Sequence, residues 1–111
     1  MTHGRTDRRL LQAQAPDVNA AERTLPREMR RILAQLRAMK GPLLRAWQFD
    51  IRAVEDPNCP LCGLGAHTTE HLFACPRIPT DLAPIDLWRR PVAAADLVQR
   101  WQAALEAADD T

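Results

Sequence analysis

The sequence predicts an all-α fold: a small domain of about four helices organised around one structural zinc site. Three observations lead there. Cys59-Pro60-Leu61-Cys62, eight residues, His71, three residues and Cys75 use every cysteine in the chain and offer three thiolates and one imidazole, a complete tetrahedral ligand set. Apolar residues recur at helical spacing in several stretches, whereas no stretch makes a convincing strand and there is no internal repeat. A chain of 111 residues suffices for one domain but not for a large core, so a metal staple is expected.

Residues 1–24 lack apolar periodicity and are rich in Arg, Gln, Ala and Asp; they read as a flexible basic arm, with a short helix near 8–14. The helical domain is placed at 25–108 and a tail at 109–111. Pro26 fits the first helical position, and 27–40 is amphipathic. Leu25, Met29, Ile32, Leu33 and Leu36 fall on one face, while Arg27, Arg30, Arg31 and Arg37 fall on the opposite side. Gly41 is expected to end this helix and Pro42 to open the next, over 42–54, with Leu43, Leu44, Trp47, Ile51 and Val54 as its apolar stripe. Glu55-Asp56-Pro57-Asn58 is a turn leading into the first cysteine pair. Beyond Cys75 a connector punctuated by Pro76, Pro79 and Pro84 carries Ile78 and Leu82, and a helical turn is expected at 85–88. Pro91 opens a last helix to about 107, with Ala94, Leu97, Val98, Trp101 and Leu105 on one face. Trp47 and Trp101 lie on apolar faces and read as core. The pattern does not settle Trp88, beside Arg89 and Arg90.

The spacing of the metal motif carries its own chemistry. Two cysteines three positions apart, followed by Gly63, make a tight knuckle that aims two sulfurs at one point, and Gly63 supplies the turn position. The stretch 68–75 reads as a short helix, with Thr68 or Thr69 as N-cap and Glu70 in the first turn. His71 and Cys75, four apart, then share a face, Leu72 points inward and Pro76 discourages further helix. Three thiolates and a neutral imidazole around zinc leave a formal charge of about −1, which calls for backbone N–H donors or an arginine such as Arg77. His67 competes for the fourth position, because Cys59, Cys62 and His67 reproduce the first three ligands of a retroviral-type knuckle. That pattern wants a cysteine at 72, where Leu72 stands. His71 is therefore the expected ligand, and His67→Ala is expected to be nearly silent. Disulfides are disfavoured by the odd cysteine count and by the lack of a secretory apolar segment.

Net charge is +1 but lopsided: residues 1–53 carry eleven basic and five acidic groups, residues 54–111 four basic and nine acidic. The first half suits a polyanion and the second, taken whole, does not. The arginine face of 27–40, helped by Arg5, Arg8 and Arg9, is the candidate phosphate contact; its plainer reading is a solvated face opposite an apolar stripe. No run reaches transmembrane length, and an intracellular protein, nuclear or cytoplasmic, is expected.

Thr24-Leu25-Pro26-Arg27, Leu33-Ala34-Gln35-Leu36-Arg37, Leu43-Leu44-Arg45, the Cys59–Cys62 pair, Thr69-Glu70-His71-Leu72-Phe73 before Cys75-Pro76, Pro79-Thr80, Asp86-Leu87-Trp88 and Pro91-Val92 follow one another in order. Over roughly residues 16–98 this resembles the C-terminal tail of non-LTR retrotransposon polyproteins of the jockey-like and related clades, which carry an endonuclease, a reverse transcriptase and often an RNase H upstream. The resemblance implies a zinc-binding, nucleic-acid-associated element with Cys59, Cys62, His71 and Cys75 as ligands. It implies a remnant, a recruited gene or one piece of a broken frame. The enzyme does not carry over. The chain has no tyrosine, hence no Tyr-x-Asp-Asp polymerase signature, and no carboxylate set resembling a nuclease site. Three functions follow as expectations: a module binding RNA or DNA, a scaffold docking on a reverse transcriptase or other partner, and, weakest, a zinc hydrolase, which would need an open coordination position.

Overall fold

Short helices cannot satisfy their own end groups, because the first four N–H and last four C=O of each lack intrahelical partners. Three of the five longest helices among the described residues are shorter than two turns, so their placement follows from what supplies those partners. The computed structural model describes residues 20–109. Helix α1 is Arg27–Arg37, α2 Arg45–Asp50, α3 Thr69–Leu72, α4 Asp86–Arg89 and α5 Pro91–Asp109. Residues 20–22 are helical too, so the described residues hold six helical segments rather than about four. The additions are α4, expected only as a turn, and 20–22, assigned from sequence to the arm. The rest of the arm, with Arg5, Arg8, Arg9 and the helix near 8–14, lies outside the described residues. Those residues contain no strand, only an isolated antiparallel bridge between Asn58 and Ala66. None of their helices is long and apolar enough to cross a membrane.

Two helices end earlier than their apolar periodicity suggests. Helix α1 stops at Arg37, where Lys40 N–H bonds Gln35 O at 3.0 Å and Met39 N–H bonds Leu36 O at 3.0 Å. This is a Schellman closure, and Met39 holds its left-handed position at φ 58° in place of the usual glycine. Helix α2 closes the same way: Ala53 N–H bonds Gln48 O at 2.8 Å, Arg52 N–H bonds Phe49 O at 3.0 Å, and Arg52 sits at φ 62°. Ile51, placed in the expected stripe, therefore falls beyond α2 and is 53% exposed. Gly41 does not terminate α1 directly. It lies in the link at φ 114°, where an added Cβ would come within 2.9 Å of the Gln35 side chain. Pro42 belongs to that link, and α2 starts three residues later.

Helices α1, α4 and α5 pack on one another. Met29, Leu33 and Leu36 of α1 meet Leu87 of α4 and Ala94, Ala95, Leu97, Val98 and Trp101 of α5 in one core. Leu72 of α3, and Leu44, Ile78 and Leu82 from the connecting segments, complete it, and Trp47 packs against it half-buried. Cys59 and Cys75 belong to the same cluster, so the cysteine-bearing segment is continuous with the hydrophobic interior. The stripes read from sequence for α1 and α5 are thus the observed core faces.

Candidate metal centre

The backbone of 57–67 forms a narrow hairpin around the first cysteine pair. His67 N–H bonds Pro57 O at 2.8 Å and Cys59 N–H bonds Gly65 O at 2.9 Å. Within it Gly63 N–H returns to Cys59 O at 2.9 Å, with Gly63 at φ 67°, the left-handed turn expected of it. Thr68 caps α3, its Oγ1 accepting from His71 N–H at 3.2 Å. Helix α3 ends at Leu72, yet Cys75 N–H still bonds His71 O at 2.9 Å, and this turn keeps the two side chains on one side.

The four donor atoms of Cys59, Cys62, His71 and Cys75 lie within 4.8 Å of one another. Cys59 Sγ and Cys75 Sγ are 3.9 Å apart, and Cys62 Sγ is 3.3 Å from His71 Nε2. The sulfur separation is nearly twice a disulfide bond of about 2.05 Å. Two sulfurs accept backbone N–H groups two residues further on: Leu64 N–H reaches Cys62 Sγ at 3.4 Å, and Arg77 N–H reaches Cys75. The Leu64 contact holds the Cys62 thiol below its ordinary range, whereas burial pushes Cys75 up to about 11, so ionising Cys75 calls for an adjacent cation. Burial also lowers the pKa of His71, favouring the neutral imidazole that a metal requires. Arg77, considered from sequence as a counter-charge, instead donates Nη1–H to Leu61 O at 2.8 Å and braces the knuckle backbone. The arrangement is compatible with a four-coordinate metal site.

Two long-range hydrogen bonds fix α3 against the core. Thr69 Oγ1–H donates to Leu36 O at 2.9 Å, and Trp101 Nε1–H donates to Leu72 O at 3.1 Å; both are buried. The sequence shows Thr69 as a capping candidate and Trp101 as a core residue, but gives no sign of either contact.

His67 stands outside the cluster and is fully buried. Its Nδ1 accepts Arg45 N–H at 3.0 Å, and its carbonyl accepts Ala46 N–H at 3.2 Å. It therefore caps the N-terminus of α2 from a distant part of the chain, which is why α2 begins at Arg45. Its ring lies 4.9 Å from that of Trp101, and Nε2 is buried without a hydrogen-bond partner. Burial, then the neighbouring His71 and Arg45, brings its pKa down to about 4. The expectation that His67→Ala is silent is corrected: this residue holds α2 to the core. An acceptor 22 residues along the chain from the N–H group it caps leaves no local signal in sequence.

The arginines of α1 divide. Arg27, Arg30 and Arg31 are exposed, with Arg31 paired to Glu28 one turn earlier. Arg37 is turned inward. Its guanidinium donates to Glu22 carboxylate oxygens at 2.6 and 3.2 Å and to Leu87 O at 2.6 and 3.0 Å, with its side chain only 18% exposed. A helical wheel places Arg37 on the flank beside Leu33, where α4 packs, so its assignment to a phosphate-contacting face is withdrawn.

Comparison with family models, with curated proteins and with solved structures finds no match to the chain.

Proposed function

We propose that the chain is a non-catalytic module, stabilised by zinc, that binds RNA or DNA. The observation that carries the metal half is the closed set of four donors. Zinc bonds of about 2.3 Å to sulfur and 2.0 Å to nitrogen, arranged tetrahedrally, put two sulfurs about 3.8 Å apart and a sulfur and a nitrogen about 3.5 Å apart. Two of the six separations here are 3.9 and 3.3 Å, and all lie within 4.8 Å, somewhat wider than a metal-bound set. Four protein ligands leave no open position for an activated water, which argues against hydrolysis. Support for the nucleic-acid half comes from Arg27 and Arg31, exposed on the side of α1 away from Met29, Leu33 and Leu36, and from Arg30, exposed on its flank. The ordered likeness to retrotransposon polyprotein tails points the same way.

The test has two arms. Metal analysis of protein purified without added zinc should find one zinc per chain. Titration against single- and double-stranded RNA and DNA should show affinity that falls steeply with salt, and Arg27→Gln with Arg30→Gln should flatten the slope by roughly one unit per lost contact. Absence of affinity for any nucleic acid at low salt sinks this half of the proposal. A second reading, a scaffold docking on a reverse transcriptase or other domain, is favoured by a groove of about 360 Å³ beside the knuckle. Pro60, Leu61, Ile78, Ala104 and Ala107 line it. Binding there would be insensitive to salt.

A further inference from the structure

Helix α4 presents an aromatic surface that neither the core nor the metal centre uses. Trp88 is 45% exposed, and Ile85 and Val92 beside it in sequence are exposed to a similar degree. A tryptophan whose neighbour Leu87 is fully buried has an obvious interior to enter, yet this indole remains in contact with solvent. The next two residues, Arg89 and Arg90, are exposed, and neither guanidinium has a hydrogen-bond or ion-pair partner among the described residues. The acid closest in sequence, Asp86, is engaged, its Oδ2 accepting Ala83 N–H at 2.9 Å. Asp96, exposed one turn beyond Val92, bounds the patch on the α5 side.

This patch sits in the acidic half of the sequence but adjoins the basic helix in space. Arg37 holds Leu87 O, which brings α4 against one flank of α1. Arg30, seven residues before Arg37, projects within about 20° of the same direction two turns away. Arg30 has no side-chain partner among the described residues either, so free cations occur on both of these packed helices.

We propose that Trp88, followed at once by Arg89 and Arg90, is a stacking platform for single-stranded nucleic acid, with Arg30 of the adjoining helix α1 as a further phosphate contact. The chemistry selects that partner. An exposed indole offers a π-face on which an unpaired base stacks, and the arginines next to it in the chain hold the adjoining phosphates. Bases in a duplex are already stacked on one another, so Trp88 distinguishes the two forms while the arginines do not. This inference rests on the nucleic-acid reading above and names the form bound.

The experiment uses the full chain, loaded with zinc, and three probes: a fluorescein-labelled dT20 strand, a 20-base-pair duplex and polyglutamate of similar length. The parent should bind dT20 with quenching of tryptophan emission. Trp88→Ala should weaken dT20 binding about five- to a hundredfold and leave the duplex unchanged. Trp88→Phe should keep most of the affinity but lose most of the quench, and it carries the test if the alanine variant does not retain its metal. Arg89→Gln with Arg90→Gln should weaken both forms and lower the single-strand salt slope by about 1.4. If the parent binds dT20 and both Trp88 variants bind and quench as the parent does, the platform is wrong while the wider reading stands. If the parent binds no nucleic acid, both fall. Polyglutamate binding as tight as dT20, lost in Trp88→Ala, would instead identify an acidic protein surface as the partner and overturn the proposal.

Discussion

The cysteine knuckle and the helical layer face the same problem, backbone groups left unpaired at the ends of short segments, and they meet it differently. In the knuckle the partner is near in sequence. Gly63 N–H returns to Cys59, Asn58 N–H bonds the Asp56 carboxylate at 2.9 Å, and Leu64 N–H bonds Cys62 Sγ. In the helical layer, beside local closures at the ends of α1 and α2, several partners are remote. His67 caps α2 across 22 positions, Trp101 takes the Leu72 carbonyl across 29, Thr69 the Leu36 carbonyl across 33, and Arg37 the Leu87 carbonyl across 50. Local closure makes a site readable from residue types and spacing. Remote closure makes small helices depend on one another, so loss of one polar side chain is felt in an element far along the chain.

The largest expected effect breaks the knuckle side. His71→Ala, or a strong chelator, should remove the metal and with it most of the near-UV dichroism, because structural zinc in comparable small domains contributes roughly 10–16 kcal/mol of apparent binding energy to folding. Two of the ligands, Cys59 and Cys75, lie in the core itself, so the loss should spread to α1 and α5. A metal-free protein with an unchanged thermal transition would show that remote closure alone suffices.

His67→Ala probes the other side. It should retain full metal stoichiometry yet lose about 2–4 kcal/mol, combining a cavity beside Trp101 with a lost cap. Equal loss of metal in His67→Ala and His71→Ala would mean the two regions are one unit. The pH dependence sharpens this. His67 has a pKa of about 4 when folded and about 6.5 when unfolded, so between these values the unfolded chain binds the extra proton. Its stabilising contribution is intact above pH 6.5 and disappears as pH falls to 4, by on the order of 3 kcal/mol. With zinc bound as proposed, protonation of the thiolates acts in the same direction. The difference between the parent and His67→Asn, whose amide oxygen can accept Arg45 N–H without titrating, isolates the histidine.

The arginines give the next effect in size. Arg37→Ala should cost about 1.5–3 kcal/mol in denaturant unfolding, because it removes charge-assisted bonds to Glu22 and leaves the Leu87 carbonyl unpaired. Arg27→Ala and Arg30→Ala should each stay within about 0.5 kcal/mol. A silent Arg37→Ala would return that residue to the solvated face.

This local-versus-remote division also explains what was legible. The cysteine and histidine cluster, the αL turn at Gly63, the Thr68 cap and the apolar faces of α1 and α5 are written in spacings of two to four residues, and the structure has them where the sequence puts them. Hidden from sequence were the role of His67, the inward turn of Arg37 and the early ends of α1 and α2. Each depends on a partner brought close only by folding, or on a non-glycine residue in a conformation that its type does not announce.

The smallest effect tests the helix ends directly. Gly63 occupies its left-handed position as a glycine, whereas Met39 and Arg52 hold equivalent positions with a Cβ against the following carbonyl. A non-glycine residue there is disfavoured by roughly 1–2 kcal/mol, partly offset because glycine gives the unfolded chain more freedom. Met39 is 56% exposed, so little packing is lost with its side chain. Met39→Gly should therefore raise stability by about 0.5–1 kcal/mol, a few degrees in Tm for a domain of this size, with metal content unchanged. The mirror substitution, Gly63→Ala, should lose about as much and also weaken the metal, since its strain falls inside the knuckle rather than at a helix end. A stabilising effect confined to α1 would separate the two regions energetically. A Met39→Gly variant that is less stable than the parent would mean that the half-exposed methionine is held by contacts the local rule does not capture, placing even this helix end under remote control.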